Sequence, residues 1–202
     1  MVSAKPWNHN IQYSPFIERE VGRSRRRSAI DIGSGDGMLA ARLSRIVPTV
    51  VGLDLHDAQV DAARRTWAHV PGLSFETGDL LTARPAGAPF DAVTCSATLH
   101  HVDLESGLER LAQLTAPGGV LVVVGLAADT SPLDIVRSAA KAPLIHFVRM
   151  FRGWHDHGSP RQDPRDSWST VREVAERVLP GVVYRRRLYW RYTLVWERPA
   201  TS

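Results

Sequence analysis

Short apolar runs alternate with amphipathic segments along most of this 202-residue chain. A continuous apolar run bounded by polar or turn residues is typical of a strand that is buried on both faces. Such runs, each expected to form a strand, lie at 29–32, 49–54, 73–80, 90–96 and 120–124. The segments between several of them repeat apolar residues at helical spacing. The first of these has its apolar residues at Leu39, Leu43, Ile46 and Val47.

Three glycines at alternating positions follow the first predicted strand: Gly33, Gly35 and Gly37. Glycine permits a tight turn and a close approach by a ligand, and the helix that follows offers unpaired N–H groups. The dinucleotide fingerprint G-x-G-x-x-G would need a glycine at position 38, where Met38 stands. The strand, the turn and the helix therefore indicate a nucleotide-binding element of another type, with Asp31 two residues before the first glycine.

The segment 31–37, Asp-x-Gly-x-Gly-x-Gly, resembles the first motif of class I S-adenosylmethionine (SAM)-dependent methyltransferases. The run LTAPGGVLVVV at 114–124 is similar to the segment through that family's fifth strand. The resemblance implies an α/β, Rossmann-like fold with a seven-stranded, mostly parallel sheet in the order 3-2-1-4-5-7-6. Helices would cover both faces, and a terminal antiparallel hairpin would complete the sheet. One domain is expected over 1–202, with an N-terminal arm at 1–27 and a lid-like insertion at 126–168.

The resemblance implies SAM as the cofactor. Asp54, at the end of the second strand, is expected to accept hydrogen bonds from both ribose hydroxyls, with Leu55 against the adenine. The alternative role for Asp54 is a helix N-cap, for which Asp57 is better placed. Asp79 is expected near the adenine amino group. The other residues expected at the cofactor are Asp31, Gly33, Ser34, Gly35, Gly37, Leu80, Cys95, Ser96, Trp7, His9 and Tyr13.

The N-terminal arm has two interpretations. Its aromatic and polar residues could close over the SAM site, as such segments do in methyltransferases that resemble this chain. Alternatively, a short helix over Pro15 to Val21 could cover the flank of the sheet.

Two adjacent histidines, His100 and His101, follow the fourth strand and are the candidates for acid–base catalysis. Residues 95–101 would face the glycine turn at the switch point of the sheet. One histidine could instead pack on the following helix, predicted from Leu104 to Leu114. Because adjacent residues of a turn point apart, we expect one of the pair, His100, to face the substrate.

The expected reaction is direct transfer of the SAM methyl group to an O, N or C nucleophile of a small, apolar or aromatic molecule. A hydroxyl nucleophile would need a base such as His100, whereas a carbon or amine nucleophile needs none. The insertion could form two amphipathic helices joined at Pro143, acting as a lid or lying on a membrane surface. A metal site at His155-Asp156-His157 lacks further ligands and is not expected.

The C-terminal part is expected to contribute a helix and two strands. A capping-box pattern at 170–173 predicts the start of the helix, and Pro180-Gly181 predicts its end. In the last strand, apolar residues alternate with polar ones from Trp190 to Glu197.

The net charge of +4 and the two arginine clusters, 23–27 and 185–191, raise the alternative of a nucleic-acid methyltransferase. However, Cys95-Ser96-Ala97-Thr98 stands where many amino-group methylases carry Asn/Asp-Pro-Pro-aromatic, which disfavours base N-methylation. A second alternative is a SAM-binding fold that does not transfer methyl, acting as a cyclase or a partner protein.

Three features of the sequence bear on where in the cell the protein is expected to lie. The single cysteine excludes an internal disulfide and fits a cytoplasmic protein. The segment Met1 to Trp7 has no apolar run after its charge, so no signal peptide is expected. The longest strongly apolar run, 120–128, is too short to cross a membrane, so stable membrane insertion is not expected.

Overall fold

A computed structural model of the chain describes residues 11–130, 163–188 and 190–200. Within these ranges seven strands are present: β1 Ser28–Ile32, β2 Thr49–Asp54, β3 Leu73–Thr77, β4 Phe90–Ser96, β5 Thr115–Leu126, β6 Val183–Arg186 and β7 Arg191–Glu197. The same ranges hold five α-helices: α1 Ser14–Gly22, α2 Met38–Leu43, α3 Asp57–Trp67, α4 Leu104–Leu114 and α5 Trp168–Val178. Short 3-10 helices cover Ile11–Tyr13 and Leu99–His101.

The seven strands form one sheet in the order β3-β2-β1-β4-β5-β7-β6, which confirms the predicted topology. Strands β1 to β5 pair in parallel, and β7 runs antiparallel to both β5 and β6. The chain continues from β1 to β2 on one side of the sheet and from β4 to β5 on the other. The carboxyl ends of β1 and β4 therefore border the switch point at which open α/β sheets bind ligands.

Helices cover both faces of the sheet, as predicted, and two apolar layers lie between them and the strands. On one face, α4 and α5 contribute the buried residues Leu104, Leu108, Leu111, Leu114, Trp168, Val171 and Ala175. On the other face, α1, α2 and α3 contribute Ile17, Val21, Ala40, Leu43, Val60 and Ala63. Each helix therefore buries one stripe, which accounts for the amphipathic repeats of the sequence. The α1 stripe confirms the interpretation that a helix near residues 15–21 covers the flank of the sheet.

Several element boundaries differ from the predictions. Helix α2 ends at Leu43, so Ile46 lies beyond the helix and is 46% exposed rather than buried. Strand β3 ends at Thr77, short of the predicted position 80. Helix α5 starts before the predicted capping box, because the Ser167 hydroxyl accepts a hydrogen bond from the Thr170 N–H and caps the helix at that point.

Strands β5 and β7 also differ from the predictions. Strand β5 spans Thr115–Leu126 and so extends the predicted run 120–124 at both ends, and the pairing of β4 with β5 shifts register between Phe90 and Ala92. Trp190 precedes β7 and is 46% exposed, so the strand's inward face begins after it. Strand β7 is instead buried on both faces, because Arg191 and Thr193 are buried together with Tyr192 and Leu194.

Several predictions concern residues outside the described ranges: Trp7, His9, the predicted helices around Pro143 and the segment His155-Asp156-His157. Of the proposed insertion 126–168, the structure describes only the two ends. Among the described helices, none has the length and apolar character that crossing a membrane requires.

Candidate functional site

The glycine loop after β1 has all three of its glycines at positive φ: 69° at Gly33, 51° at Gly35 and 77° at Gly37. A Cβ at Gly33 would lie 1.9 Å from the Thr98 hydroxyl, and one at Gly37 would lie 2.5 Å from the Phe75 ring. A Cβ at Gly35 would meet no atom within 4 Å. The outer glycines therefore permit close packing, whereas the middle one borders open space at the switch point.

Asp54, at the carboxyl end of β2, holds this loop. Its Oδ2 accepts a hydrogen bond from the Gly35 N–H at 2.8 Å. Its Oδ1 accepts one from the His56 N–H at 3.0 Å and lies 3.3 Å from the His56 ring Nδ1. The backbone N–H groups of Gly33 and Ser34 donate to the Leu53 carbonyl at 2.8 and 3.1 Å. The loop after β1 is therefore fastened to the end of β2.

The N-cap alternative for Asp54 is wrong. The residue at the N-cap of α3 is His56, and Asp57 is the first helical residue rather than the cap. Asp54 lies before the cap and is 8% exposed at the open side of the loop. Its predicted contact with a ribose stays a prediction.

Asp31 is 2% exposed at the end of β1, and its Oδ1 accepts a hydrogen bond from the Thr94 hydroxyl at 2.8 Å. Burial, together with the nearby carboxylates of Asp54 and Asp36, outweighs the Thr94 hydrogen bond and raises the pKa of this carboxyl group to about 7. A buried carboxylate in negatively charged surroundings favours a cationic partner. The position and the charge of Asp31 therefore suit the ammonium group of an amino-acid moiety.

The Ser34 hydroxyl in the loop is buried and finds no hydrogen-bond partner among the described residues. Buried hydroxyl groups are normally paired, so an unpaired one beside the glycine loop is consistent with a polar ligand atom there. Leu55 is 60% exposed next to Asp54 and offers an apolar surface. Together with Asp31 and the open space at Gly35, these residues fit a cofactor that has a polar and an apolar part.

Asp79 and Leu80 follow β3, beside the end of β2. The Asp79 Oδ1 accepts a hydrogen bond from the Leu81 N–H at 2.7 Å, which fixes the carboxylate in a turn. The side chain of Leu80 is 6% exposed and belongs to the core layer. The predicted adenine contacts of both residues stay predictions, and of the two side chains only that of Asp79 is polar.

His100 and His101 lie in the 3-10 helix after β4, and their ring centroids are 4.0 Å apart. The prediction that the two side chains point apart is wrong, since the rings pack against one another. His100 is half-buried, its Nδ1 has no hydrogen-bond partner among the described residues, and His101 is exposed. Burial, with the charges of His101 and Arg191, lowers the pKa of His100 to about 4. The His100 imidazole is therefore neutral near pH 7 and can accept a proton.

Cys95 and Ser96 end β4 in different surroundings. The Cys95 side chain is fully buried in the core, and burial raises the pKa of its thiol to about 12. In this arrangement no ligand atom reaches the thiol. The Ser96 side chain is half-buried, and the Ser96 carbonyl accepts a hydrogen bond from the Thr98 hydroxyl at 3.2 Å. Thr98, which also packs on Gly33, thus joins the loops after β1 and β4.

Tyr13 is the one predicted arm residue that the described ranges include. It is 9% exposed, and its hydroxyl donates a hydrogen bond to the Leu188 carbonyl at 2.9 Å. This bond ties the start of α1 to the turn between β6 and β7. Tyr13 therefore lies next to the outer strands, and its predicted cofactor contact is untested.

Two features of this edge of the sheet were not predicted from the sequence. Arg191, assigned to a basic cluster, is 6% exposed, and burial lowers the pKa of its guanidinium to about 10. The Asp129 carboxylate accepts hydrogen bonds from the indole N–H groups of Trp168 and Trp190, both at 2.8 Å. The predicted alternation along β7 assigns Arg191 to the polar face, opposite Tyr192 and Leu194, so it gave no signal of this burial, and nothing in the sequence connects Asp129 with the two tryptophans.

Among the described residues, no group of three or more His, Cys, Asp or Glu side chains is arranged to hold a metal ion.

Known proteins resemble this chain along most of its length. Residues 29–119 match the family described as "Methyltransferase domain". An uncharacterized methyltransferase of Mycobacterium tuberculosis is 33% identical over 199 residues, which cover 96% of this chain and 98% of the relative. A ubiquinone biosynthesis O-methyltransferase of Alkalilimnicola ehrlichii is 26% identical over 176 residues, which cover 84% of this chain and 69% of the relative.

A solved structure shows the same fold. The structure of an O-methyltransferase family protein from Burkholderia thailandensis superposes with a TM-score of 0.64 at 22% sequence identity. The match covers 95% of this chain and 57% of that chain. This chain therefore spans just over half of the length of that protein.

Proposed function

We propose that this chain, which belongs to the class I SAM-dependent methyltransferases, transfers the methyl group of SAM to an O, N or C nucleophile of a small, apolar or aromatic molecule. The observation that carries the proposal is the fastening of the glycine loop to Asp54 beside the open space at Gly35. These hydrogen bonds hold the loop at the carboxyl ends of β1 and β2, where open α/β sheets bind nucleotides, and they support the proposal.

The residues at the carboxyl edge of β1, β2 and β3 divide the binding of SAM between them. In this proposal Asp31 binds the ammonium group, Asp54 binds the ribose hydroxyls and Leu55 packs on the adenine face. The glycine loop gives the backbone a close approach to the cofactor, with Gly35 on the open side. Bound SAM supplies a methyl group activated by a positively charged sulfur.

The chain's own contribution to the reaction is to position the acceptor and, where required, to remove its proton. Holding two reacting groups at near-attack distance converts an encounter into an effectively unimolecular step. The neutral imidazole of His100 accepts the proton of a hydroxyl nucleophile. A low pKa makes His100 a weak base, so this role fits an acceptor hydroxyl that is itself acidic, such as a phenol.

Two observations favour a small molecule over a nucleic acid as the acceptor. Both arginine clusters lose a member to the interior: Arg26 is 7% exposed and Arg191 is 6% exposed. The Arg26 guanidinium donates to the carbonyls of Val21 and Asp91, so it serves the fold rather than a phosphate. The relative of Alkalilimnicola ehrlichii has a name that places it in ubiquinone biosynthesis, which favours an apolar or aromatic acceptor.

The proposal is tested by measuring S-adenosylhomocysteine (SAH), the product that every SAM-dependent methyl transfer releases. The purified chain is incubated with SAM and a panel of phenols, amines and apolar alcohols, in parallel with RNA and with unfolded protein. SAH formation that depends on a small aromatic or apolar compound supports the proposal. SAH formation that depends on RNA or protein alone contradicts the proposed acceptor class.

A further inference from the structure

Trp190 adopts a backbone conformation that large side chains rarely take. Its φ of 54° lies in the left-handed region, and among the described residues only Ala97 shares this property without being glycine. A bulky residue persists there when its surroundings hold it and its side chain is needed in that direction. Two contacts hold Trp190: its carbonyl accepts from the Ala127 N–H at 3.2 Å, and its indole N–H donates to Asp129.

The Asp129 carboxylate fixes two indoles that differ in their surroundings. The Trp168 indole is 5% exposed, and the guanidinium of Arg186 lies 4.8 Å from its ring centroid. The Asp129 Oδ1 accepts the Trp168 indole N–H at 2.8 Å, and Oδ2 accepts the Trp190 indole N–H, also at 2.8 Å, yet 46% of Trp190 stays exposed. The first indole is an ordinary core residue. The second is held rigidly with much of its apolar surface open, which a purely structural contact would not require.

Trp190 lies at the edge of the sheet that carries the histidine pair. Arg191, the next residue, pairs with Leu126 at the carboxyl end of β5, and its charge acts on His100. The other residue with a left-handed backbone, Ala97, donates its N–H to the Val124 carbonyl. Val124 precedes Ala127, the partner of Trp190, by three positions, which corresponds to about 10 Å along a strand. The two strained residues therefore attach to the same end of β5.

The chemistry of this indole selects one kind of ligand. Its N–H group is already used by Asp129, so the part left open is the apolar ring. The ring of an aromatic ligand can pack on this indole by stacking or edge-to-face contact. A polar ligand group would gain little from the same surface. An indole with a fixed orientation also loses little conformational entropy when a ligand packs on it.

We propose that the Trp190 indole is a substrate-binding surface on which the ring of an aromatic methyl acceptor packs, and that Asp129 is the positioning residue that holds it. This inference rests on the proposed function and assigns part of its specificity to two residues outside the family's cofactor motifs. Trp190 contributes the surface, and its hydrogen bond with Ala127 places it at the carboxyl end of β5.

The test uses the full chain saturated with SAH, with 2-naphthol as an aromatic probe and decahydro-2-naphthol as its saturated counterpart. The six tryptophans each give an indole N–H signal in a 15N-labelled sample, and Trp190→Phe identifies the signal of Trp190. The internal reference is the signal of Trp196, whose indole donates to the Pro180 carbonyl. The proposal predicts that 2-naphthol shifts the Trp190 signal, leaves the Trp196 signal in place and binds more tightly than the saturated alcohol.

Variants separate a ligand-binding role from a structural one. Trp190→Leu is expected to weaken 2-naphthol about tenfold, while SAH affinity stays within about twofold. Glycine adopts the left-handed backbone conformation without strain, so Trp190→Gly is expected to keep the fold and to lower the affinity for 2-naphthol. Asp129→Ala frees the indole and is expected to weaken the probe and to speed exchange of the Trp190 N–H with water. The matched control, Trp196→Phe, keeps the affinity for the probe.

The outcomes distinguish the two proposals. If SAH binds but 2-naphthol does not, or if Trp190→Leu and Trp190→Gly keep the affinity for the probe, the inference about Trp190 is overturned and the proposed function stands. If SAH itself does not bind, the proposed function is overturned and this inference with it.

Discussion

The backbone N–H of Gly35 donates a 2.8 Å hydrogen bond to the Asp54 carboxylate, and this bond joins the loop after β1 to the end of β2. The same carboxylate that shapes the loop is the group proposed to bind the ribose. Because the Asp54 side chain is only 10% exposed, its hydrogen bonds are protected from competing water.

Substitution of Asp54 by Asn is expected to weaken SAM and SAH binding by about 1–3 kcal/mol, because an amide replaces an acceptor oxygen with a donor. Isothermal titration calorimetry measures this affinity. Asp57→Asn removes the same charge from the exposed start of α3 and serves as the matched control. Equal affinities for the two variants would contradict the role of Asp54.

Gly35→Ala tests the open side of the loop. Alanine at a φ of 51° is expected to lower the free energy of unfolding by about 1–2 kcal/mol, and its methyl group enters the space assigned to the cofactor. Gly118→Ala is the matched control, since Gly118 also has a positive φ of 74° and open space around its Cβ, at a distance from the site.

We expect similar losses of stability for the two alanine variants, but a loss of SAH affinity of about tenfold or more for Gly35→Ala alone, since a tenfold change corresponds to about 1.4 kcal/mol. Chemical denaturation and calorimetry on the same samples give both quantities. A Gly35→Ala variant with undiminished SAH affinity would show that the cofactor binds elsewhere.

The raised pKa of Asp31 predicts a pH-dependent stability. In the unfolded chain the pKa of an Asp is about 3.9, whereas burial raises that of Asp31 to about 7 in the folded protein. Between these values the folded state holds the proton more tightly, so stability from this group is complete below about pH 4 and is lost as the pH rises to about 7.

Asp31→Asn removes this titration, while its side-chain oxygen still accepts the hydrogen bond from Thr94. The stability of wild type relative to Asp31→Asn is therefore expected to fall between pH 5 and 7, by an amount on the order of 1–3 kcal/mol. Urea denaturation at a series of pH values measures the difference. A difference that does not change with pH would show that Asp31 is already ionised in the folded protein.

The low pKa of His100 predicts the pH profile of catalysis with a hydroxyl acceptor. Since burial lowers this pKa to about 4, the imidazole is deprotonated throughout the neutral range, and its contribution to kcat/KM is expected to be constant from pH 6 to 8. His100→Ala is expected to lower kcat, and His101→Ala is the neighbouring control. Full turnover by both variants would remove the histidines from the mechanism.

The sheet and the cofactor side of the site were predictable because their signals are local. Buried strands that end in Asp31 or Asp54, followed by glycines or by an amphipathic helix, place these residues at one edge of a parallel sheet. The predicted start of α5 was wrong because two hydroxyl residues could cap the helix, and the cap is Ser167 rather than Thr170.

The acceptor side was not predictable, because its contacts join residues that are far apart in the sequence. Asp129 and Trp190 are 61 positions apart, and the left-handed φ of Trp190 breaks the alternation that had placed it within a strand. The burial of Arg191 likewise follows from the antiparallel pairing of β7 with β5, which covers both faces of β7. Patterns along the chain report how each element packs, but they do not report which side chains meet across elements.

Transfer of a labelled methyl group is the direct test of whether this chain methylates a small molecule. The purified chain is incubated with methyl-labelled SAM and a cell extract, which is then separated into small-molecule, lipid, RNA and protein fractions, with Gly35→Ala as the background control. We expect label in organic-soluble small molecules with the wild-type chain and a strong reduction with the variant. Label confined to RNA or protein, or equal labelling by the variant, would contradict this expectation.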